Sequence, residues 1–321
     1  MGIEASQVGK HAVTTHLAIT GVCSAERRRY ARLGAAAGRH RSLHVIDLPS
    51  AADPLLVHST LHGMDTLCVV DARHALDDLR DDAPVRRTVP DGDARADVGA
   101  RARLAAQLIE GASAVVIVNW ERLPTADLSI LMAVASHLAP TARVRLSRGV
   151  RDDLAALGFG TTLPVGPRDD RAGWTRVLNG EHEPFLTDRR VTTLRYEQLR
   201  PFHPARLVRA LEILDSGACG ILLRSVGVCR LATRAGTPAR WEQAGSAMWI
   251  DPLDAGHGLD DVGQDLAMTG IDLNPGRLRQ VLDEAVLDDG ELAAGPARWR
   301  TLPDPLPDWH QVVGSDDGST A

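Results

Sequence analysis

Ala114-Val-Val-Ile-Val-Asn119 is the stretch whose reading decides the fold. A continuous apolar run of this length, closed by a polar residue, is the signature of a strand covered on both faces, as in a parallel sheet. Working outward, Met64 to Asp71 (MDTLCVVD) and Leu43 to Leu48 (LHVIDL) read as two further strands before it. Val98 to Glu110 has the apolar spacing of a helix, Thr125 to Leu138 reads as another helix, and Arg143 to Leu146 reads as a closing strand. Short apolar runs alternating with Ala- and Leu-rich stretches are the pattern of βαβ units. Ligands of such sheets sit beyond the carboxyl ends of the strands. That singles out Asp47 to Pro54, Asp71 to Arg73 and Asn119 to Arg122. Polar residues at those places also serve as turn formers and helix caps, so each has a purely structural alternative.

The composition narrows the function classes. The 321 residues suffice for two ordinary domains. A net charge of −6 gives no reason to expect nucleic acid or a membrane surface as a direct partner. Cys23, Cys68, Cys219 and Cys229 are scattered, with no Cys-x-x-Cys pair, so reduced thiols in the cytoplasm are expected rather than a disulfide framework. No apolar run is long enough for a signal peptide or a membrane span.

Four segments are expected: an α/β domain over residues 1–152, a linker over 153–188, a separate α+β domain over 189–313, and a disordered tail over 314–321. In the third segment Val191 to Tyr196 alternates as a strand. Pro204 to Leu214 is an amphipathic helix with Pro in its first turn, where a missing N–H costs nothing. Gly220 to Val228, Ser246 to Ile250 and Leu266 to Leu273 read as strands, and Arg277 to Val286 as a helix. The mixture predicts an antiparallel or mixed sheet with helices on one face.

Several strings carry a resemblance. Arg200-Pro-Phe-His203-Pro-Ala-Arg206-Leu207, then Leu231-Ala-Thr-Arg234 with Trp241 and Gln243-Ala-Gly245, then Asp288-Asp-Gly-Glu291 through to Trp309, together resemble the CobW-like family of P-loop GTPases. Members of that family act as metallochaperones or in metal homeostasis. The resemblance extends, less faithfully, to Val70-Asp-Ala72, to Gln107–Asn119 and to Asp53-Pro54. It implies a parallel-sheet GTPase domain followed by a C-terminal α+β domain, with GTP, magnesium and zinc as the family's ligands. It also implies Asp47, Asp53 and Asn119 as vestigial nucleotide-binding positions.

The departures bear on function. A phosphate-binding loop needs Gly-x-x-x-x-Gly-Lys-Ser/Thr, so that backbone N–H groups and a Lys meet the phosphates and a hydroxyl meets magnesium. No such string occurs in the chain. The nearest, Gly21-Val-Cys-Ser-Ala-Glu26-Arg27-Arg28, puts a carboxylate where the second glycine belongs. A different alignment takes Gly21-Val-Cys23 as what remains of the family's Cys-x-Cys-Cys metal motif, the loop being absent because too little chain precedes Cys23 for a first strand. The guanine motif Asn-Lys-x-Asp is here Asn119-Trp-Glu-Arg122, and Arg122 cannot accept a hydrogen bond. Cys23 is the candidate metal ligand, with His16 and His44 nearby in sequence, a thin set for zinc.

The expectation is therefore a non-hydrolysing CobW-like protein that works through a partner protein: a metal client, or a ribosome hibernation factor, as the resemblance implies for an actinobacterial branch with degraded nucleotide motifs. Arg200, His203, Arg206 and Trp241 are the candidate partner-binding residues. The competing expectation is a GTP-binding metallochaperone whose site is unconventional or completed by a partner.

Overall fold

The computed structural model describes residues 15–38, 43–49, 64–86, 97–159, 172–253 and 263–309. The first half runs β1 (Thr15–Thr20), α1 (Ser24–Gly38), β2 (Leu43–Asp47), β3 (Asp65–Asp71) and a one-turn α2 (Ala75–Asp78). A small antiparallel pair follows, β4 (Pro84–Arg86) and β5 (Asp97–Ala100), then α3 (Arg101–Glu110), β6 (Ala114–Val118), α4 (Thr125–Leu138), β7 (Arg143–Leu146) and α5 (Val150–Ala156). One parallel sheet joins five of these strands in the order β2-β1-β3-β6-β7.

The two-residue period of the strands sorts their side chains onto two cores. Leu67, Val69, Ala114 and Val116 face Tyr30 and Ala31 of α1 and Leu154 of α5. Cys68, Val70, Val115 and Ile117 face Leu104 and Leu108 of α3 and Leu131 and Val134 of α4. The continuous apolar run of β6 is thus covered on both sides.

Two boundaries in this half differ from the sequence reading. The chain before Cys23 does hold a strand: β1 lies inside the sheet, between β2 and β3. Only Leu17, Ala18 and Ile19 mark it as apolar, too short a run to stand out, yet all three are fully buried. The expected helix from Val98 begins at Arg101, because the preceding residues pair with β4 and Gly99 has a φ of +85°.

In the second half come α6 (Gly173–Leu178), β8 (Val191–Gln198), α7 (Pro204–Asp215), β9 (Ile221–Cys229), β10 (Ala239–Ala244), β11 (Ala247–Pro252), β12 (Gln264–Ile271), α8 (Pro275–Asp283) and α9 (Asp289–Trp299). The five strands form an antiparallel sheet in the order β11-β10-β9-β12-β8. One face carries Leu194, Tyr196 and Trp241 against Leu207 of α7 and Leu278 and Leu282 of α8. The other face sends Val191, Leu223 and Ile271 into the core that contains α3 and α4. The second sheet therefore has helices on both faces, not one, and α3 and α4 form a layer shared by the two sheets.

Charge crosses that shared layer. Arg224 of β9 donates from Nε and Nη2 to the two carboxylate oxygens of Glu110 on α3, at 2.8 and 3.0 Å. Glu242 of β10 receives Arg103 and Gln107 of α3 at 2.6 and 2.8 Å. The expected linker over 153–188 is also more structured than its weak periodicity suggested. Helix α5 runs across its start, Phe159 is buried, and α6 lies within it, both helices being too short to show a clear period. The expected tail over 314–321 lies outside the described residues. Among the described residues no helix is long and apolar enough to cross a membrane.

Candidate functional site

Strand order reverses beside β1: the chain leaves β1 for β2 on one side and β3 for β6 on the other. The crevice outside the carboxyl ends of β1 and β3 is where a sheet of this type binds ligands. The turn Gly21-Val-Cys23, the turn Asp71-Ala-Arg73 and Asn119 converge there.

Gly21 is required by its backbone. Its φ is +150°, and a Cβ would stand 2.4 Å from the carbonyl oxygen of Val69. Helix α1 starts at Ser24, with the N–H of Arg27 already donating to the Cys23 carbonyl at 3.0 Å. Strand, glycine turn and helix follow one another in the order of a phosphate-binding loop. In that register Glu26, Arg27 and Arg28 occupy the Gly-Lys-Ser/Thr places. The alignment of Gly21-Val-Cys23 with a metal motif after a missing strand is overturned by this topology. The turn between β1 and α1 is nonetheless only three residues long, and the helix has taken up the N–H of Arg27.

Arg27 is buried, and its Nε donates to Oδ1 of Asp47, at the end of β2, at 2.7 Å. The cation in the Lys position is thus bonded to the carboxylate that the resemblance places at a nucleotide-binding position. Asp71 is a second anchor. Its Oδ1 accepts from Arg73 N at 3.2 Å, Arg73 Nε at 3.1 Å and Asn119 Nδ2 at 3.1 Å. Its Oδ2 accepts from Arg73 Nη2 at 2.8 Å, and the Cys23 thiol lies 3.9 Å away. Burial pushes the Asp71 carboxyl up, but the hydrogen bonds from Arg73 and Asn119 outweigh it and hold the group below the ordinary carboxylate value. Glu26 Oε1 lies 3.8 Å from Arg73 Nη2. Among the described residues the crevice therefore sets two cations, Arg27 and Arg73, against three carboxylates, Glu26, Asp47 and Asp71.

Asn119 adopts the left-handed conformation (φ +57°), which Asn tolerates better than most residues, and its amide is used on Asp71. Trp120 packs against the core and donates its indole N–H to the Ser147 carbonyl at 2.9 Å. Asp53 lies outside the described residues.

Cys23 and the two histidines do not meet. Cys23 follows the carboxyl end of β1, whereas His16 and His44 pair near the amino ends of β1 and β2. Seven residues of chain separate Cys23 from His16, roughly 20 Å at the rise of a strand. Among the described residues no group of three or more His, Cys, Asp or Glu is placed to hold a metal.

The candidate partner residues are tied up internally. Arg200 Nη2 donates to Asp289 Oδ1 at 2.5 Å, and Arg206 holds both oxygens of Glu291, at 3.0 and 2.5 Å. Glu291 also accepts from the Asp288 N–H in a capping box that starts α9. Its carboxyl is lowered to about 2, first by Arg206. His203 is buried at the entry to α7. Trp241 is not a surface anchor: it is fully buried, lies tilted against Phe202, and donates to Ser225 Oγ at 2.8 Å. In the same way Thr233 and Arg234 bind Asp304, and Arg234 lies over Trp309. The sequence signatures of this half are therefore partners of one another.

Comparison with known proteins agrees with that arrangement. Residues 191–286 match the family model of the cobalamin synthesis protein cobW C-terminal domain. The second half of the chain therefore carries a CobW C-terminal domain. It is 25% identical over 216 residues to the zinc-regulated GTPase metalloprotein activator 1 of Dictyostelium discoideum, a match covering 59% of this chain and 44% of that one. It is 28% identical over 213 residues to a zinc chaperone of Mycobacterium tuberculosis, covering 56% and 50%. The chain thus spans about half the length of the curated relatives it matches. A solved structure of the Zn(II)-bound YjiA GTPase from E. coli aligns at 13% identity and a TM-score of 0.33, over 86% of this chain and 92% of that one.

Arg27 was not singled out as a site residue from the sequence, and Arg73 only as part of a strand-end segment, because arginines are too common here to mark a site. The available signal was register: a Gly five residues before Glu26-Arg27-Arg28, at the end of a short strand.

Proposed function

We propose that this CobW-like chain acts in zinc homeostasis as a non-hydrolysing factor that works by binding another protein. The observation that carries the reading is the ion pair between the buried Arg27 guanidinium and the exposed Asp47. It engages the residue in the Lys position, whose task would be to reach the phosphates, together with the carboxylate that the resemblance places at a nucleotide-binding position. The excess carboxylate of the crevice opposes a triphosphate as well. The zinc connection is supported by the named roles of the two relatives. Recruitment of a hibernation factor to ribosomes when zinc is scarce is the form of this role that the sequence resemblance favours. Its test is co-purification from zinc-starved cells, where recovery of neither component removes it.

A second reading, a GTP-binding metallochaperone, draws on Asn119, which stands at the end of β6 in the same crevice as Gly21. Equilibrium binding of a fluorescent GTP analogue, with and without magnesium and zinc, separates the two. No saturable binding is expected. Micromolar binding strengthened by magnesium would put the GTP-binding reading first.

A further inference from the structure

The two histidines excluded from the Cys23 site form a site of their own. His16 and His44 are direct neighbours in the parallel pairing of β1 and β2, both exposed, with ring centroids 5.3 Å apart at an interplanar angle of 78°. Their Nδ1 atoms stand 3.3 Å apart. At that distance one neutral ring can donate its N–H to the bare nitrogen of the other. Two imidazole nitrogens each about 2.0–2.1 Å from one tetrahedral zinc stand about 3.3–3.4 Å from each other. The observed spacing is that of two ligands of one ion.

The strands hold this spacing in place. Leu17, Ala18 and Ile19, directly after His16, are fully buried, and Leu43, directly before His44, is buried too. Register therefore fixes both backbones, and the parallel pairing puts both side chains on one face of the sheet. We infer that His16 and His44 bind a borderline divalent cation, zinc first among them, through their two Nδ1 atoms. Neutral imidazole suits such ions, whereas calcium and magnesium demand oxygen ligands. With two protein ligands among the described residues, at an exposed position, water would complete the coordination, so the ion is held loosely and exchanges. That is a loading or hand-over site rather than a structural one. The inference rests on geometry alone and stands whether or not the crevice binds nucleotide.

The test is zinc chloride titrated calorimetrically into the metal-stripped full chain, beside the variants His16→Gln, His44→Gln, the double variant and Cys23→Ser. Copper(II) electron paramagnetic resonance serves as the structural readout. The expected result is zinc binding weakened by on the order of tenfold or more in either single histidine variant, since even indirect support of a ligand is commonly worth that much. The double variant should be no weaker than the single ones, because one ion needs both rings. Cys23→Ser should bind as the parent does, and copper should show two equatorial nitrogens that fall to one in each single variant. Both histidines are exposed, so circular dichroism and metal-free melting should not change. Zinc affinity and stoichiometry unaltered in both histidine variants, or lost in Cys23→Ser alone, would overturn the assignment.

Discussion

Replacing Arg224 by Met should destabilise the whole protein through one stranded carboxylate. Arg224 and Glu110 are nearly inaccessible, with side chains 3% and 6% exposed, and join β9 of the second sheet to α3 of the shared layer. Glu242 keeps Arg103 and Gln107 when the guanidinium is removed. Glu110 keeps no charged partner among the described residues, since both its oxygens face Arg224. Removing one partner of a buried pair costs about 3–5 kcal/mol, much of it from the charge left behind. Replacing both partners by apolar groups is often neutral. The assay is urea unfolding followed by near- and far-ultraviolet circular dichroism. Arg224→Met should lose about 3–5 kcal/mol, and Arg224→Met with Glu110→Leu should recover most of that loss. A single-variant loss below about 1 kcal/mol, or no recovery in the double variant, would refute the view that this pair pins the two sheets to the layer between them.

Three further outcomes follow from the same coordinates. Burial, then the neighbouring His182, lowers His137 from 6.5 to about 4. Its folded value lies below its unfolded one, so its stabilisation is complete above about pH 6.5 and is lost on acidification, by about 2 kcal/mol at pH 5. His137→Gln should flatten that part of the pH–stability curve, and an unchanged curve would show that His137 does not set it. Gly21→Ala forces a Cβ to within 2.4 Å of the Val69 carbonyl at a positive φ and should cost about 1–3 kcal/mol in thermal unfolding; a neutral substitution would mean that the turn relaxes freely. Burial pushes the Cys68 and Cys229 thiols up to about 12, whereas Cys23 is half-buried beside Asp71. Iodoacetamide should therefore label Cys23 in the folded protein and leave Cys68 and Cys229 unlabelled until denaturant is added, as read by peptide mass mapping.

The sequence by itself determined the parallel sheet of the first half and, in the second, the order of β8, α7, β9, β11, β12 and α8, while β10, α6 and α9 were not read from it. Val115 to Val118 can be covered on both faces only in such a sheet, and the apolar period of Pro204 to Leu214 suits one helix face. The sequence also shows no Gly-x-x-x-x-Gly-Lys-Ser/Thr string and has Arg122 where the resemblance expects Asp. Tertiary structure alone decided where the charged side chains point. Arg27 meets Asp47 across 20 positions, Arg206 meets Glu291 across 85, and Arg224 meets Glu110 across 114. Periodicity reports which side of one element is covered, but not which charge a second element brings to it. For that reason Trp241 could be read as an interface anchor and proved to be core, and the first strand was missed. A run as short as Leu17 to Ile19 shows its burial only once β2 and β3 lie on either side of it.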